Sequence, residues 1–277
     1  MGSRAQHVRS LIGALFLLCL AAGRGEAGSD EQLDLRYRFS WASVPIATFE
    51  LRHVVQAPIY QIELAIETTG LADTLFGYRS LSRATGSYRD PDRFRTSRFR
   101  STYSSHRKSR RILIRFDRDT GDVVDLEITK RGEPDRSKVP PALQKGVIDP
   151  LTALVQLRQQ LAAAPVSHMD GYKAAVFDGR RRFDLEATVL GRDQIDVAGR
   201  VRPVVKVEIG LKWIAGSNRD EMEPATAEDN RIRLELLLSD DERRIPLRLR
   251  TLDSLFTAEA EVVPECLGPR GCEAVSG

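Results

Sequence analysis

The sequence is poor in the residues that build metal and redox centres. It has four histidines and three cysteines among 277 residues, and they form neither an HExxH motif nor paired CxxC motifs. A GxSxG elbow, a P-loop and a GxGxxG loop are missing as well. The tetrapeptide SHRK at 105–108 has the SxxK spacing of penicillin-recognising enzymes without their SDN and KTG partners. We therefore expect a protein that is not an enzyme and that uses no metal or cofactor.

Long apolar runs are also scarce. The longest, residues 11–22, covers 12 residues and is too short to cross a bilayer of roughly 30 Å as a helix. Arg4 and Arg9 precede it, and the tripeptide GEA, ending at Ala27, is a plausible cleavage site. This pattern predicts a signal peptide over 1–27, cleaved near Ala27, and export to the periplasm as a soluble protein with no integral membrane span. A retained membrane anchor is the alternative.

No linker rich in glycine, serine or proline divides the rest of the chain. We expect one domain over 28–263 and a tail over 264–277. Loss of the signal peptide lowers the net charge from +3 to about +1, which argues against a nucleic-acid binder. It also leaves two cysteines, Cys266 and Cys272. In an oxidising compartment this pair predicts a local disulfide, because a metal site would need further ligands that the sequence does not supply.

Alternation of apolar and polar residues dominates the chain and predicts about ten or eleven strands. In the segment RILIRFDRDTGDVVDLEIT, pairing Phe116 with Val124 also places Arg115 opposite Asp125. Both faces of this hairpin are then satisfied, with apolar residues on one face and opposite charges on the other.

A second hairpin contains the acidic cluster SDDERR at 239–244. Pairing Leu238 with Ile245 leaves Asp241 and Glu242 as the turn and places Glu235 opposite Arg248. Paired carboxylates act in acid–base catalysis only where a pocket separates their pKa values. A hairpin turn normally offers no such pocket, so we interpret these acids as turn residues.

One helix is predicted near 150–162. Asp149 suits the N-cap and Pro150 the first helical position, and leucines and a valine form one apolar stripe. Thr152 and Gln156 fall on the polar side. Arg158 falls inside the stripe, where we expect its charge to reach water beyond the helix end.

A helix of this length, about 20 Å, is too short to cover so large a sheet. The sheet must therefore close on a filled core or present an apolar trough to a ligand. For each trough candidate, ordinary core packing is the alternative. The candidates are Tyr37, Phe39, Trp41, Phe49, Leu64, Val207, Leu211 and Trp213.

The segment 89–115 is unusually basic. It carries ten Lys and Arg residues against Asp90 and Asp92. One interpretation is a patch for anionic head groups, and the other is a solvated outer face of two strands. The head-group candidates are Arg98, Arg100, Arg107 and Arg111.

Four segments resemble a bacterial family of exported proteins of unknown function, DUF 3108. They are the opening hairpin YRFSWASVPIATFEL, the helix start DPLTALVQLR, the strands VFDGRRRFDLEATVLG, and LLLSDDERRIPLRLR near the end. The resemblance implies a curved antiparallel sheet, a half-barrel or open barrel wrapped around one helix, similar to periplasmic carriers of lipoproteins and lipids. It supplies no catalytic residues, and a fold alone does not fix function.

The leading hypothesis is a non-enzymatic periplasmic envelope protein that binds a lipid, a lipoprotein or another amphipathic ligand in the apolar trough. The alternative is a scaffold for protein interactions or envelope assembly, with a filled core and no small ligand. Possible partners are lipids, lipoproteins and envelope proteins. Nucleic acid is not expected.

Overall fold

The computed structural model describes residues 31–88, 94–163, 171–197, 199–216, 231–252, 256–267 and 272. The predicted signal peptide and its cleavage site lie outside these ranges. The strands are β1 Glu31–Trp41, β2 Val44–Gln56, β3 Ile59–Thr68, β4 Arg79–Tyr88, β5 Phe94–Ser105, β6 Lys108–Phe116, β7 Val123–Lys130, β8 Glu133–Asp135, β9 Tyr172–Phe177, β10 Arg182–Val197, β11 Arg200–Ala215, β12 Arg231–Ser239, β13 Pro246–Thr251 and β14 Ala258–Val262. The helices are α1 Gly70–Phe76, α2 Pro150–Ala163 and the short 3-10 helices Pro141–Gln144 and Pro264–Cys266.

The strands form a single antiparallel sheet in the order β8-β7-β6-β5-β4-β3-β2-β1-β14-β13-β12-β11-β10-β9. The predicted class, one large open antiparallel sheet with one substantial helix, is confirmed. Among the described residues there are 14 strands rather than ten or eleven. Short strands such as β8 carry too few alternating positions to be counted from sequence.

The sheet curls until residues 146–149 link the β6–β7 turn, near one end of the sheet, to β9 at the other end. On one side, the Val147 N–H donates to Gly121 O at 3.0 Å, in the β6–β7 turn. On the other side, the Ile148 N–H donates to Ala175 O at 3.0 Å, and the Phe177 N–H donates to Ile148 O at 2.9 Å, on β9. This segment therefore joins the two ends of the open sheet and leads directly into α2.

The start of α2 is fixed by its predicted cap. Asp149 Oδ1 accepts the backbone N–H groups of Leu151 at 2.9 Å and Thr152 at 3.0 Å, and Pro150 is the first helical residue. Asp149 Oδ2 also accepts the Thr96 hydroxyl at 2.5 Å, which ties the cap to β5. The cap thus sets both the helix start and its position against the sheet.

The apolar stripe predicts that the opposite, polar side of α2 faces water, and this prediction is wrong. A hydrogen bond of 2.7 Å joins the hydroxyls of Thr152 and Tyr60, and Gln156 Nε2 donates to Phe94 O at 2.7 Å. The Tyr172 hydroxyl donates to Gln156 Oε1 at 2.9 Å. The curled sheet surrounds the helix, so these polar groups find partners on β3, β5 and β9 instead of in water.

The expectation that the charge of Arg158 reaches water is also wrong. The side chain is buried, and its Nε donates to Arg243 O at 3.0 Å. Arg244 Nε in turn donates to Leu161 O at 3.4 Å. The acidic turn between β12 and β13 thus covers the C-terminal end of α2.

That turn also shifts the predicted hairpin register by two residues. Glu235 lies opposite Arg250 rather than Arg248, and a bulge separates Leu237 from Leu238. The turn needs the extra residues because Asp241 Oδ1 accepts several hydrogen bonds within it. A two-residue turn would leave these groups without their partners.

The predicted β6–β7 register is confirmed except at its last pair. Arg115 lies opposite Asp125 as expected. A bulge after Arg115 pairs Phe116 with Val123 rather than with Val124. A single extra residue in one strand is enough to produce this change.

We expect Asp149→Ala to lower the free energy of unfolding by about 2 kcal/mol, because two helix N–H groups and the Thr96 hydroxyl lose a buried acceptor. Asp149→Asn is the matched control, since its amide oxygen still accepts and it carries no charge to bury. Urea unfolding followed by circular dichroism measures both. Equal losses for Ala and Asn would contradict the capping role.

His53 gives the stability a pH dependence. Burial, followed by the nearby Arg158 charge, lowers the pKa of His53 to about 3. The unfolded chain, with an ordinary pKa near 6.5, then binds an extra proton between these two values. The contribution of His53 is therefore complete above pH 6.5 and is lost as the pH falls. We expect a loss of about 2 kcal/mol by pH 5, absent in His53→Phe, when urea unfolding is compared at pH 7.5 and pH 5.

Candidate functional site

Cross-strand ion pairs neutralise many of the arginines on the outer face of the sheet. Arg36 Nε lies 2.9 Å from Glu50 on β1 and β2, and Arg233 Nη2 lies 2.8 Å from Glu208 on β12 and β11. Further pairs are Arg52–Asp34, Arg83–Glu63, Arg115–Asp125, Arg248–Glu261 and Arg250–Glu235. Opposite charges facing each other across strands stabilise such pairings.

Arg98, Arg100 and Arg111 depart from this pattern. All three are exposed on the outer face of β5 and β6, and within the described ranges none has an ion pair or a side-chain hydrogen bond. Arg98 faces Arg115, and Arg100 faces Arg83, although both of these partners are neutralised by carboxylates of their own. The outer face of β5 and β6 therefore carries an excess of positive charge.

A groove of 480 Å³ crosses this end of the outer face from β3 to β7. We call it the arginine groove. Its lining includes the guanidinium-bearing residues Arg79, Arg110, Arg111 and Arg131, the single carboxylate Glu67, and the apolar residues Ala65 and Leu81. The Leu81 side chain is exposed although it is a large aliphatic group. The groove thus combines positive charge with an apolar surface.

The predicted head-group residues do not all lie together. Arg111 lines the groove, and Arg98 and Arg100 lie on the same outer face along β5. Arg107 lies in the β5–β6 turn, beyond the strands. Arg79 and Arg131 were not singled out from sequence, because they come from β4 and from the β7–β8 turn and only the sheet order brings them to the groove.

The trough candidates lie on the opposite, inner side of the sheet, in the hydrophobic core. Phe39 and Phe49 stack with their ring centroids 5.0 Å apart, and the Tyr37 hydroxyl donates to Pro246 O at 3.1 Å. The buried candidates are Tyr37, Phe39, Phe49, Leu64, Val207 and Leu211, and the half-buried ones are Trp41 and Trp213. Their role in ligand binding stays a prediction, and their burial favours the core alternative.

The predicted disulfide between Cys266 and Cys272 is confirmed. The Cys272 N–H donates to Asp34 O at 2.6 Å, and the Val263 N–H donates to Arg36 O at 2.9 Å. These bonds fasten the described part of the tail along β1.

Two kinds of feature are absent from the described residues. No three His, Cys, Asp or Glu side chains in these ranges are grouped as metal ligands would be. Neither α1 nor α2 is long and apolar enough to span a membrane.

The chain belongs to the family described as "Protein of unknown function (DUF3108)", which matches residues 36–261. Among solved structures, it is similar to the beta-barrel-like protein of domain of unknown function DUF1849 from Brucella abortus. The identity is 11%, the TM-score is 0.48, and the match covers 85% of this chain and 98% of that one. A comparison with curated proteins gave no match.

Glu235 shows how ion pairs with cations affect a carboxylate elsewhere on the outer face. This carboxylate is only 3% exposed and lies 2.7 Å from Lys206 Nζ and 2.6 Å from Arg250 Nε. Burial by itself would raise the pKa of Glu235, but the bonds from Lys206 and Arg250 outweigh it and hold the pKa below its usual value. Its two cations therefore have a structural role.

We expect the unpaired and paired arginines to respond differently to neutralisation. Arg250→Gln leaves the Glu235 charge buried with one partner fewer and should lower the free energy of unfolding by about 1–3 kcal/mol. Arg111→Gln should change it by less than about 0.5 kcal/mol, since no carboxylate loses a partner. Urea unfolding at low salt measures both. A large loss for Arg111→Gln would reveal a structural role for that residue.

Proposed function

We propose that the protein is a non-enzymatic component of the bacterial cell envelope that binds a phosphate-bearing amphipathic molecule at the arginine groove, with Arg100 beside the groove as a further contact. One observation carries this proposal. Among the described residues, Arg100 and Arg111 have no carboxylate partner and lie near the exposed Leu81, on a sheet face where many other arginines are paired. An unpaired positive charge next to an apolar surface is the complement of an anionic head group with an acyl chain.

The register brings the two arginines close enough to share one ligand. Arg100 is opposite Leu113, and Arg111 is opposite Thr102, so the arginines are diagonal neighbours on adjacent strands. Such positions are roughly 7–8 Å apart at the backbone. Two guanidinium groups on flexible side chains can then bind the oxygens of the same phosphate, with bidentate geometry available to each.

Two features, one near each end of the chain, support the proposed location. The apolar run 11–22 has the form of an export signal. The disulfide at Cys266 belongs to an oxidising compartment such as the periplasm.

The non-enzymatic role is supported by where the perturbed groups lie. His53 and Asp149, whose pKa values are shifted by burial, are enclosed around α2 near the far ends of the strands. Asp149 accepts hydrogen bonds that hold the helix. Neither residue lines the groove, so neither is placed to act on a ligand there.

A second candidate function is the envelope-assembly scaffold with a filled core. The burial of the predicted trough residues favours it over a ligand in the concave interior. A scaffold would copurify with envelope proteins and carry no stoichiometric lipid. Crosslinking in the periplasm followed by mass spectrometry would identify such partners.

We expect saturable binding of dihexanoylphosphatidylglycerol, measured by calorimetry below its critical micelle concentration. Arg100→Gln/Arg111→Gln should weaken it about tenfold or more, because two charge-assisted contacts to the phosphate are lost. Leu81→Ser should weaken the binding of the lipid but not the binding of glycerol 3-phosphate, which lacks acyl chains. Native mass spectrometry of the gently purified protein would show whether a lipid is already bound.

The matched control is Arg36→Gln/Arg52→Gln, which removes the same charge from paired positions on β1 and β2. It should leave the affinity within about twofold. If it weakens binding as much as the groove variant, net charge alone explains the effect and the groove is not the site. Absence of any saturable binding would favour the scaffold.

A further inference from the structure

One end of the sheet gathers several chain connections into a continuous surface. Strand direction alternates, so the β1–β2, β3–β4, β5–β6, β7–β8 and β13–β14 connections share this end. Hydrogen bonds link them in sequence around the edge: Ala42 N–H to Thr257 O at 2.9 Å, Thr69 N–H to Ile46 O at 2.9 Å, His106 N–H to Phe76 O at 3.0 Å, and Arg131 Nη2 to Arg107 O at 2.9 Å. We call this surface the rim; it comprises residues 42–46, 69–77, 106–108, 131–133 and 256–257.

The rim exposes large apolar side chains that would ordinarily be buried. Leu71 and Leu75 are four residues apart on α1 and point away from the core, whereas Ala72 between them is buried. The Phe256 ring meets the half-buried Trp41 edge-on, with centroids 5.4 Å apart. The exposed fractions are 59% for Val44, 74% for Leu71, 60% for Leu75, 38% for Phe76 and 53% for Phe256.

The exposed leucines lie on α1, whose position is fixed by contacts at its C-terminal end. The Gly77 N–H donates to Asp73 O at 2.7 Å, with Gly77 in the left-handed conformation at φ 52°. A Cβ at Gly77 would overlap the His106 imidazole, so the end of α1 packs closely on the β5–β6 turn. Arg79 Nη1 lies 3.3 Å from Asp73 at the same place. These contacts hold the leucines outward.

Positive charge lies next to these apolar groups. Arg107, Lys108 and Arg131 are exposed on the β5–β6 and β7–β8 connections, against one exposed acid, Glu133. The acid on α1, Asp73, is already paired with Arg79. The rim is therefore apolar along one arc and cationic along the adjoining arc.

We propose that the rim docks on the surface of an anionic lipid bilayer. The apolar groups sit on separate connections, and a fluid bilayer admits separate shallow anchors, whereas a protein partner would need a rigid matching surface. Cations beside them then face lipid phosphates. This inference goes beyond the groove ligand, because the apolar anchors lie outside the arginine groove.

The test is cosedimentation with large vesicles of equimolar phosphatidylglycerol and phosphatidylcholine, compared with pure phosphatidylcholine. The protein is recovered after export and its N-terminus is determined by mass spectrometry, so that wild type and variants share the same start. We expect binding to the anionic vesicles that falls steeply with added salt. Binding to the neutral vesicles should be at least tenfold weaker.

Two double variants separate the apolar and cationic contributions. Leu71→Ser/Leu75→Ser removes two anchors and should lower the partition coefficient about tenfold. Its control is Ile59→Ser/Val201→Ser, which changes apolar residues of similar exposure at the opposite end of the sheet. The control should stay within twofold of wild type.

Arg107→Gln/Lys108→Gln should lower the partition coefficient more than tenfold, because the loss of each cation should lower it about fivefold. Its control, Arg118→Gln/Arg200→Gln, removes exposed charges from the β6–β7 turn and from the start of β11, at the opposite end of the sheet. This control should again stay within twofold of wild type.

Tryptophan fluorescence reports directly which end meets the lipid. In a Trp213→Phe background, the remaining tryptophan of the domain is Trp41, at the rim beside Phe256. Brominated acyl chains should quench its emission when the protein is bound. Binding without quenching would show contact through another surface and overturn the proposal.

Two further results would also overturn the proposal. One is equal loss of vesicle binding in rim variants and controls. The other is self-association in solution that Leu71→Ser/Leu75→Ser abolishes, without vesicle binding, which would make the rim a protein interface. The leucine variant should keep its affinity for dihexanoylphosphatidylglycerol, so a failure of the rim and a failure of the groove are distinguishable.

Discussion

The buried polar groups that hold α2 inside the curled sheet are the interaction on which the rest of the structure depends. An open sheet of 14 strands has a concave apolar face that must be covered. Here one helix of 14 residues packs against it, anchored through Asp149 to β5 and through Gln156 to β5 and β9. Because the inward side chains pack in the core, the outer face and the ends of the sheet are the surfaces that we favour for contact with other molecules.

Charge on the outer face follows from the same arrangement. Outward positions face water, and most arginines there are matched by a carboxylate on the next strand, as Arg36 is by Glu50. Such pairs add little stability individually, but they remove like-charge repulsion across the sheet. Among the described residues, Arg100 and Arg111 have no carboxylate partner. Two neighbouring arginines without partners, close to an exposed apolar side chain, are the kind of local departure expected at a binding surface.

The sequence predicted the features that depend on neighbours along the chain. The alternating strands, the Asp149 cap and the pairing of Arg115 with Asp125 are all local, and all are present. It did not predict features that depend on distant parts of the chain. Arg158 is buried because a turn some 85 residues later covers it. The groove unites residues from five strands, so their spacing in sequence carried no signal.

The position of β1 in the sheet has a consequence for how the chain becomes folded. β1 pairs with β2 on one side and with β14 on the other, so Tyr37 lies between Phe49 and Val262. Val262 is about 225 residues later in the chain than Tyr37. Of the described strands, the first is completed only by the last. A chain that emerges N-terminus first must therefore leave one edge of β1 unpaired until β14 has emerged, and that edge is exposed to other chains throughout the interval.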